Sequence, residues 1–223
     1  MYIIFIVLKI CTIFEVVKLT SKFEKLAKQE DIIKAKESLE ESGIRVIVVE
    51  DKNEAKEKIL SQIPKDSEVM NMTSVTLTEI GIEDEILNSG KYKPVRKELE
   101  RLGGVGVTKK MRALGASAEI TLGSVQAITT DGKILIASNT GSQLPAHAYA
   151  SPKVILVAGT NKIVKDFDEG MERIHEHSLP LESERARKAY GVSGSHVSKL
   201  LMIDKEVKLG RITLFLVKEK LGY

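Results

Sequence analysis

Two short stretches limit the fold more than any others, IRVIVVE (44–50) and KVILVAG (153–159). Each runs apolar and largely β-branched, without the polar alternation of a strand that keeps one face wet. A continuous run of this kind must be buried on both faces, as parallel strands are when helices cover the sheet. Helical segments fall between the strands. NEAKEKILSQI (53–63) reads as a helix stopped by Pro64, SEVMNM (67–72) as a strand, and TLTEIGIEDEILNSG as a helix after Thr76. Thr76 and Glu79 have the spacing of a capping box. This strand–helix–strand–helix rhythm predicts an α/β fold: a three-layer sheet with helices on both faces.

The remainder of the chain is consistent with that layout. TSKFEKLAKQEDIIKAKESLEESG carries an approximate helical stripe that shifts near Glu30, with Thr20 or Ser21 to cap it and Gly43 to end it. YKPVRKELERL (92–102) predicts a helix from Pro94, GGVGV (103–107) a loop, and TKKMRALG (108–115) a short basic helix. VQAIT (125–129) and KILIAS (133–138) are alternating strands joined through Asp131-Gly132, a strong hairpin signal. QLPAHAYA (143–150) reads as a short helix. So does FDEGMERIHEH (167–177), with acids at its start and His175 and His177 at its end, as the helix dipole favours. ESERARKAYG (182–191) is a further helix, and KLLMI (199–203) and RITLFLVK (211–218) close the chain as strands. With no repeat, linker or composition break, residues 20–223 read as a single α/β domain with 20–43 as a helical arm.

Residues 1–19 form an apolar N-terminal extension. MYIIFIVL is followed by Lys9 and Glu15, with no basic lead and no small-residue cleavage site. A membrane span needs about 20 mostly uncharged residues, so the extension reads as an extra strand, a homo-oligomer contact or an unused upstream start, with a membrane-surface anchor as the minor alternative. The net charge is only +3, with 34 basic against 31 acidic residues interspersed, and there is no Trp. This is no electrostatic footprint for nucleic acid. The single Cys11 excludes an intrachain disulfide and any Cys-based zinc or iron–sulfur site. That suits a reducing, cytoplasmic setting, and the sequence assigns this chain no metal and no cofactor of its own.

Chemistry in such sheets gathers beyond the carboxyl ends of the strands, where backbone N–H groups of the next helix point outward. Two strand-to-helix junctions there are rich in hydroxyls: Thr73, Ser74 and Thr76 after strand 67–72, and Asn139, Thr140, Gly141, Ser142 and Gln143 after strand 133–138. Gly123 and Ser124, with Val125 and Gln126, form a third wall. Hydroxyls and amides hydrogen-bond carboxylate or phosphate oxygens, although the same residues also cap helices and build turns. Neither junction is a Walker loop, and GGVG (103–106) lacks dinucleotide-loop spacing. The catalytic candidates are Glu79, Glu119 before the Gly123 loop, and His147 near the second junction. His175 and His177 are two apart and do not share a helix face; His196 lies in a loop.

SVTLTEIGI (74–82), GSVQAITTDG (123–132), ASNTGSQLPAHAYASPKVILVAGTNKIVKDFDEG (137–170), LPLESERARKAYG (179–191) and RITLFLVKEKLGY (211–223) resemble the LUD domain of lactate-utilisation proteins. The resemblance runs from about Ile63 to the C-terminus. It implies a fold similar to ribose-5-phosphate isomerases and CoA transferases, with a pocket at the strand ends. It places Thr73, Ser74, Thr76, Glu79, Gly123, Ser124, Thr140, Gly141, Ser142 and Gln143 in the family's polar blocks. It also implies a part in lactate oxidation beside iron–sulfur partner proteins. This chain departs from its look-alikes in having no Cys-rich segment and Gln126 where a His is usual. Three readings follow: a protein that binds a small organic acid or phosphorylated ligand within an oxidation system, a self-sufficient isomerase or CoA-transferase-like enzyme, and a non-catalytic partner subunit.

Overall fold

A computed structural model describes residues 21–103 and 107–223. The N-terminal extension, Thr20 and most of the GGVG loop lie outside them. Six strands form a wholly parallel sheet in the order β1–β10–β7–β4–β2–β3. They are β1 (Arg45–Val49), β2 (Glu68–Asn71), β3 (Lys93–Pro94), β4 (Ile120–Ser124), β7 (Lys153–Gly159) and β10 (Ile212–Val217). A smaller mixed sheet runs β8 (Ile163–Val164), β5 (Ala127–Thr129), β6 (Ile134–Ser138) and β9 (Lys199–Ile203). β5 and β6 are the expected hairpin, closed through Gly132 N–H to Thr129 O.

The continuous runs explain the layers. Successive side chains of β10 alternate across the sheet. Leu214 and Leu216 join Val154 and Leu156 against α1 (Gln29–Glu41) and the small sheet, with Ile134 and Ile136 opposite. Phe215 and Val217 face the other way, onto α2 (Lys52–Leu60), α3 (Val75–Glu79) and α4 (Ile82–Asn88) through Ile59, Leu77 and Ile86. Each such side chain contributes about 1.5–3 kcal/mol on full burial. The outer face of the small sheet is covered in turn by Ile174 and Phe23. Helices α5 (Val95–Arg101) and α6 (Lys109–Ala116) lead into β4, and α7 (Phe167–Arg173) and α8 (Leu179–Tyr190) lead into β9.

Several local expectations are corrected. The arm is not one helix from residue 20. Ser21 caps a short Lys22–Glu24 turn, and α1 starts at Gln29, next to the point where the apolar stripe slips. Ser74, not Thr76, caps α3, accepting from Leu77 N–H at 3.3 Å, so Glu79 is outside a capping box. Gly123 and Ser124 lie in central strand β4 rather than in a loop. His175 and His177 do not end a helix, because a π-helical turn Ile174–Ser178 carries α7 straight into α8. Among the described residues no helix is long and apolar enough to cross a membrane.

Candidate functional site

The connection after β2 enters α3 on one face of the large sheet, and the connection after β4 enters the β5–β6 hairpin on the other. Chains that diverge in this way leave a crevice at the strand ends. A cavity of about 650 Å³ opens there. Both hydroxyl junctions reach it: Thr73, Ser74 and Thr76 from one side, and Asn139, Thr140, Ser142 and Gln143 from the other, with Ser124 and Gln126 between them. Gly141 is not on the wall. It has φ +82°, its N–H is held by Ser138 Oγ at 2.9 Å, and an added Cβ would meet the Lys199 side chain. Its role is to turn the chain so that its neighbours face the cavity. Gly123 is likewise behind the wall.

One wall residue carries chemistry that the sequence reading missed. β7 ends at Gly159, and the turn Thr160–Lys162 carries the chain to β8 in the other sheet. Lys162 is thereby trapped between the two sheets, only 2% exposed. Its Nζ donates to Thr76 Oγ1 at 3.1 Å and Ser124 Oγ at 3.0 Å, and these two hydroxyls lie 3.2 Å apart. Burial pushes the Lys162 amine well below its ordinary 10.5, the Arg173 guanidinium adds to this, and Glu79 pulls the other way. No hydrogen bond or ion pair joins a carboxylate of the described residues to Nζ. Lys162 sits in the quoted block AGTNK, directly after a buried strand, and that position was the available signal.

Arg173 braces the same region from behind. It is fully buried on α7. It donates to Gln126 O, to Asn161 O at 3.3 Å and to Ser178 Oγ at 3.0 Å, while its Nη2 has no partner. Burial lowers it to about 10. The far wall holds Glu182, Arg185 and Tyr223. Arg185 grips Glu182 through two hydrogen bonds of 2.7 Å, and the Tyr223 hydroxyl donates to Glu182 at 2.6 Å. Burial pushes Glu182 up, yet these donors hold it below its usual value. The segment Leu221–Tyr223 is tied to the site a second time, because Asn161 Oδ1 accepts from Leu221 N–H and Glu79 accepts from Gly222 N–H at 2.7 Å. The loop 192–197, His196 included, closes the rim.

None of the three catalytic candidates lines the cavity. Glu119 is exposed, accepts from Glu68 N–H and precedes β4, so it stands at the opposite end of that strand. Glu79 is the last residue of α3 and anchors Gly222. His147 is fully buried in the π-helical turn Ala146–Ala150, against Gly123, whose added Cβ would lie 2.5 Å from the ring. Both of its ring nitrogens lack partners, and burial, aided by Arg211, holds it down to about 4. His177 is also held at about 4, by burial and Arg173, so at neutral pH it is no helix-end cation.

Fold and site together define a parallel α/β protein with a polar strand-end cavity. The chain belongs to the LUD domain family, whose model matches residues 32–217 and so takes in the helix and strand before Ile63 as well. The family is associated with lactate utilisation. No curated protein matches the chain. Among solved structures, a DUF162 family protein from Deinococcus radiodurans is similar, with TM-score 0.52 at 13% identity, covering 86% of this chain and 98% of that one. Weaker matches are eIF2B beta from Chaetomium thermophilum (TM-score 0.30, 14% identity, 62% of this chain and 44% of that one) and ribose 5-phosphate isomerase from Plasmodium falciparum (TM-score 0.31, 16% identity, 60% and 66%).

Proposed function

We propose that the strand-end cavity binds a small organic acid or a phosphorylated ligand. In this reading the chain serves lactate-type organic-acid utilisation in the cytoplasm, beside iron–sulfur partner proteins that supply the redox centres. The observation that carries the proposal is the convergence of both hydroxyl junctions and Lys162 on one cavity. Thr73, Ser74, Thr140, Ser142 and the amide of Gln143 offer donors for carboxylate or phosphate oxygens, and the cavity size falls within the range of small-molecule sites. The lone Cys11 leaves cluster chemistry to partners.

A thermal-shift panel of lactate, pyruvate, inorganic phosphate, sugar phosphates and CoA esters tests the proposal. A ligand at a hundredfold excess over its Kd stabilises the folded state by about 2.7 kcal/mol. One chemical class should raise Tm, and Ser142→Ala with Gln143→Ala should reduce that rise. No shift with any class would remove the ligand-binding reading and leave that of a partner subunit.

A further inference from the structure

We propose that Lys162 is an amine nucleophile that condenses with the carbonyl of a small anionic ligand, a compound carrying a ketone or aldehyde beside a carboxylate or phosphate. This rests on the ligand-binding reading above and narrows its substrate class. Lys162 Nζ has two partners, the hydroxyls of Thr76 and Ser124, at 3.1 and 3.0 Å, and those hydroxyls also contact each other. A neutral amine has two N–H donors and one lone pair. Two donors satisfy the two hydroxyls, and the lone pair is left over on a side chain that lines the cavity. An ammonium would present a third N–H that no described residue accepts, leaving it to the little water that a side chain only 2% exposed can meet. The surroundings favour the neutral form for the same reason, because burial and the Arg173 guanidinium both disfavour a charge on Nζ. A desolvated lysine beside a second cation is the usual way that an amine is made nucleophilic.

The step balances without any added oxidant. The Nζ lone pair attacks the carbonyl carbon, a C–N bond forms, and the carbonyl oxygen takes up a proton to give a carbinolamine. Loss of that oxygen as water, with the second Nζ proton departing, leaves a C=N imine. The Ser124 and Thr76 hydroxyls, already in contact with Nζ, relay the protons between nitrogen and oxygen. The hydroxyl junctions hold the carboxylate or phosphate.

The test is reductive trapping of the full-length protein with sodium cyanoborohydride, in separate arms with pyruvate and dihydroxyacetone phosphate. Intact-mass and peptide analysis then locate the adduct. The expected result is one adduct per chain at Lys162 in one of the arms, formed at neutral pH where ordinary surface lysines are protonated. The adduct should be lost in Lys162→Met. Ser124→Ala, which keeps the amine, should slow trapping by roughly tenfold or more, with the fold checked by circular dichroism. A ligand that raises Tm but leaves no adduct at Lys162 overturns the imine step while the cavity stands as a binding site. Adducts on surface lysines alone overturn it as well. No adduct in either arm, together with no Tm shift from any member of the thermal-shift panel, overturns both.

Discussion

Two buried nitrogen bases flank strand β4, and they illustrate opposite uses of burial. Adjacent residues of the strand address them. Ser124 hydrogen-bonds Lys162 on one face, and Gly123 makes room for the His147 ring on the other. Both bases are pushed toward their neutral forms by the loss of water. Lys162 has two hydroxyl partners and borders a cavity. His147 has no partner on either nitrogen and is not among the residues that line the strand-end cavity. A perturbed base marks a functional candidate only when something can reach it. On that criterion Lys162 belongs to the site and His147 to the packing.

The sealed side should be the more sensitive to structural damage. Arg211 holds it together by an ion pair to Glu206 at 2.7 Å, both side chains under a tenth exposed, and by hydrogen bonds to His147 O and Ser151 O. Removing one member of such a pair strands a buried charge. Arg211→Ala should therefore lose about 3–5 kcal/mol in urea unfolding, and a loss below about 1 kcal/mol would break the comparison at its base.

The next effect is on acid stability. The folded protein refuses a proton at His147 that the unfolded chain accepts between pH 6.5 and about 4. Stability therefore falls as pH drops through that window, by on the order of 3 kcal/mol at about 1.4 kcal/mol per unit. His147→Leu should flatten this acid limb, with His177 retaining part of it, and should change stability at pH 7 by less than about 1 kcal/mol because an unpartnered polar ring is removed. An acid limb of unchanged slope would mean that His147 is not held neutral by burial.

Smaller still is Gly123→Ala, whose Cβ would meet the ring at 2.5 Å; overpacking of this kind costs about 1–3 kcal/mol. Combining it with His147→Ala should recover part of the loss, and additive losses would show that the two residues do not touch.

The sequence reading located the frame well and the reactive centre poorly, for physical reasons. β1 and β7 were legible because double-sided burial leaves an unbroken apolar run, and Asp131-Gly132 announced its own turn. Both hydroxyl junctions were legible because strand ends are where such residues collect. β4 was missed because Gly123 and Thr121 make its five residues look like a loop, while its partners lie far away in sequence. The continuous helix through His177 was missed because a π turn shifts the helical period. Lys162 was missed because a lysine after Thr-Asn reads as solvated; only the meeting of two sheets buries it.

The most direct test of the account is equilibrium binding of the ligand class found in the thermal-shift panel to wild type, Lys162→Met and His147→Leu. The account predicts that wild type and His147→Leu bind a carbonyl-bearing member of that class alike and that Lys162→Met binds it more weakly while staying folded. Equal binding by Lys162→Met, or loss in His147→Leu alone, would contradict it.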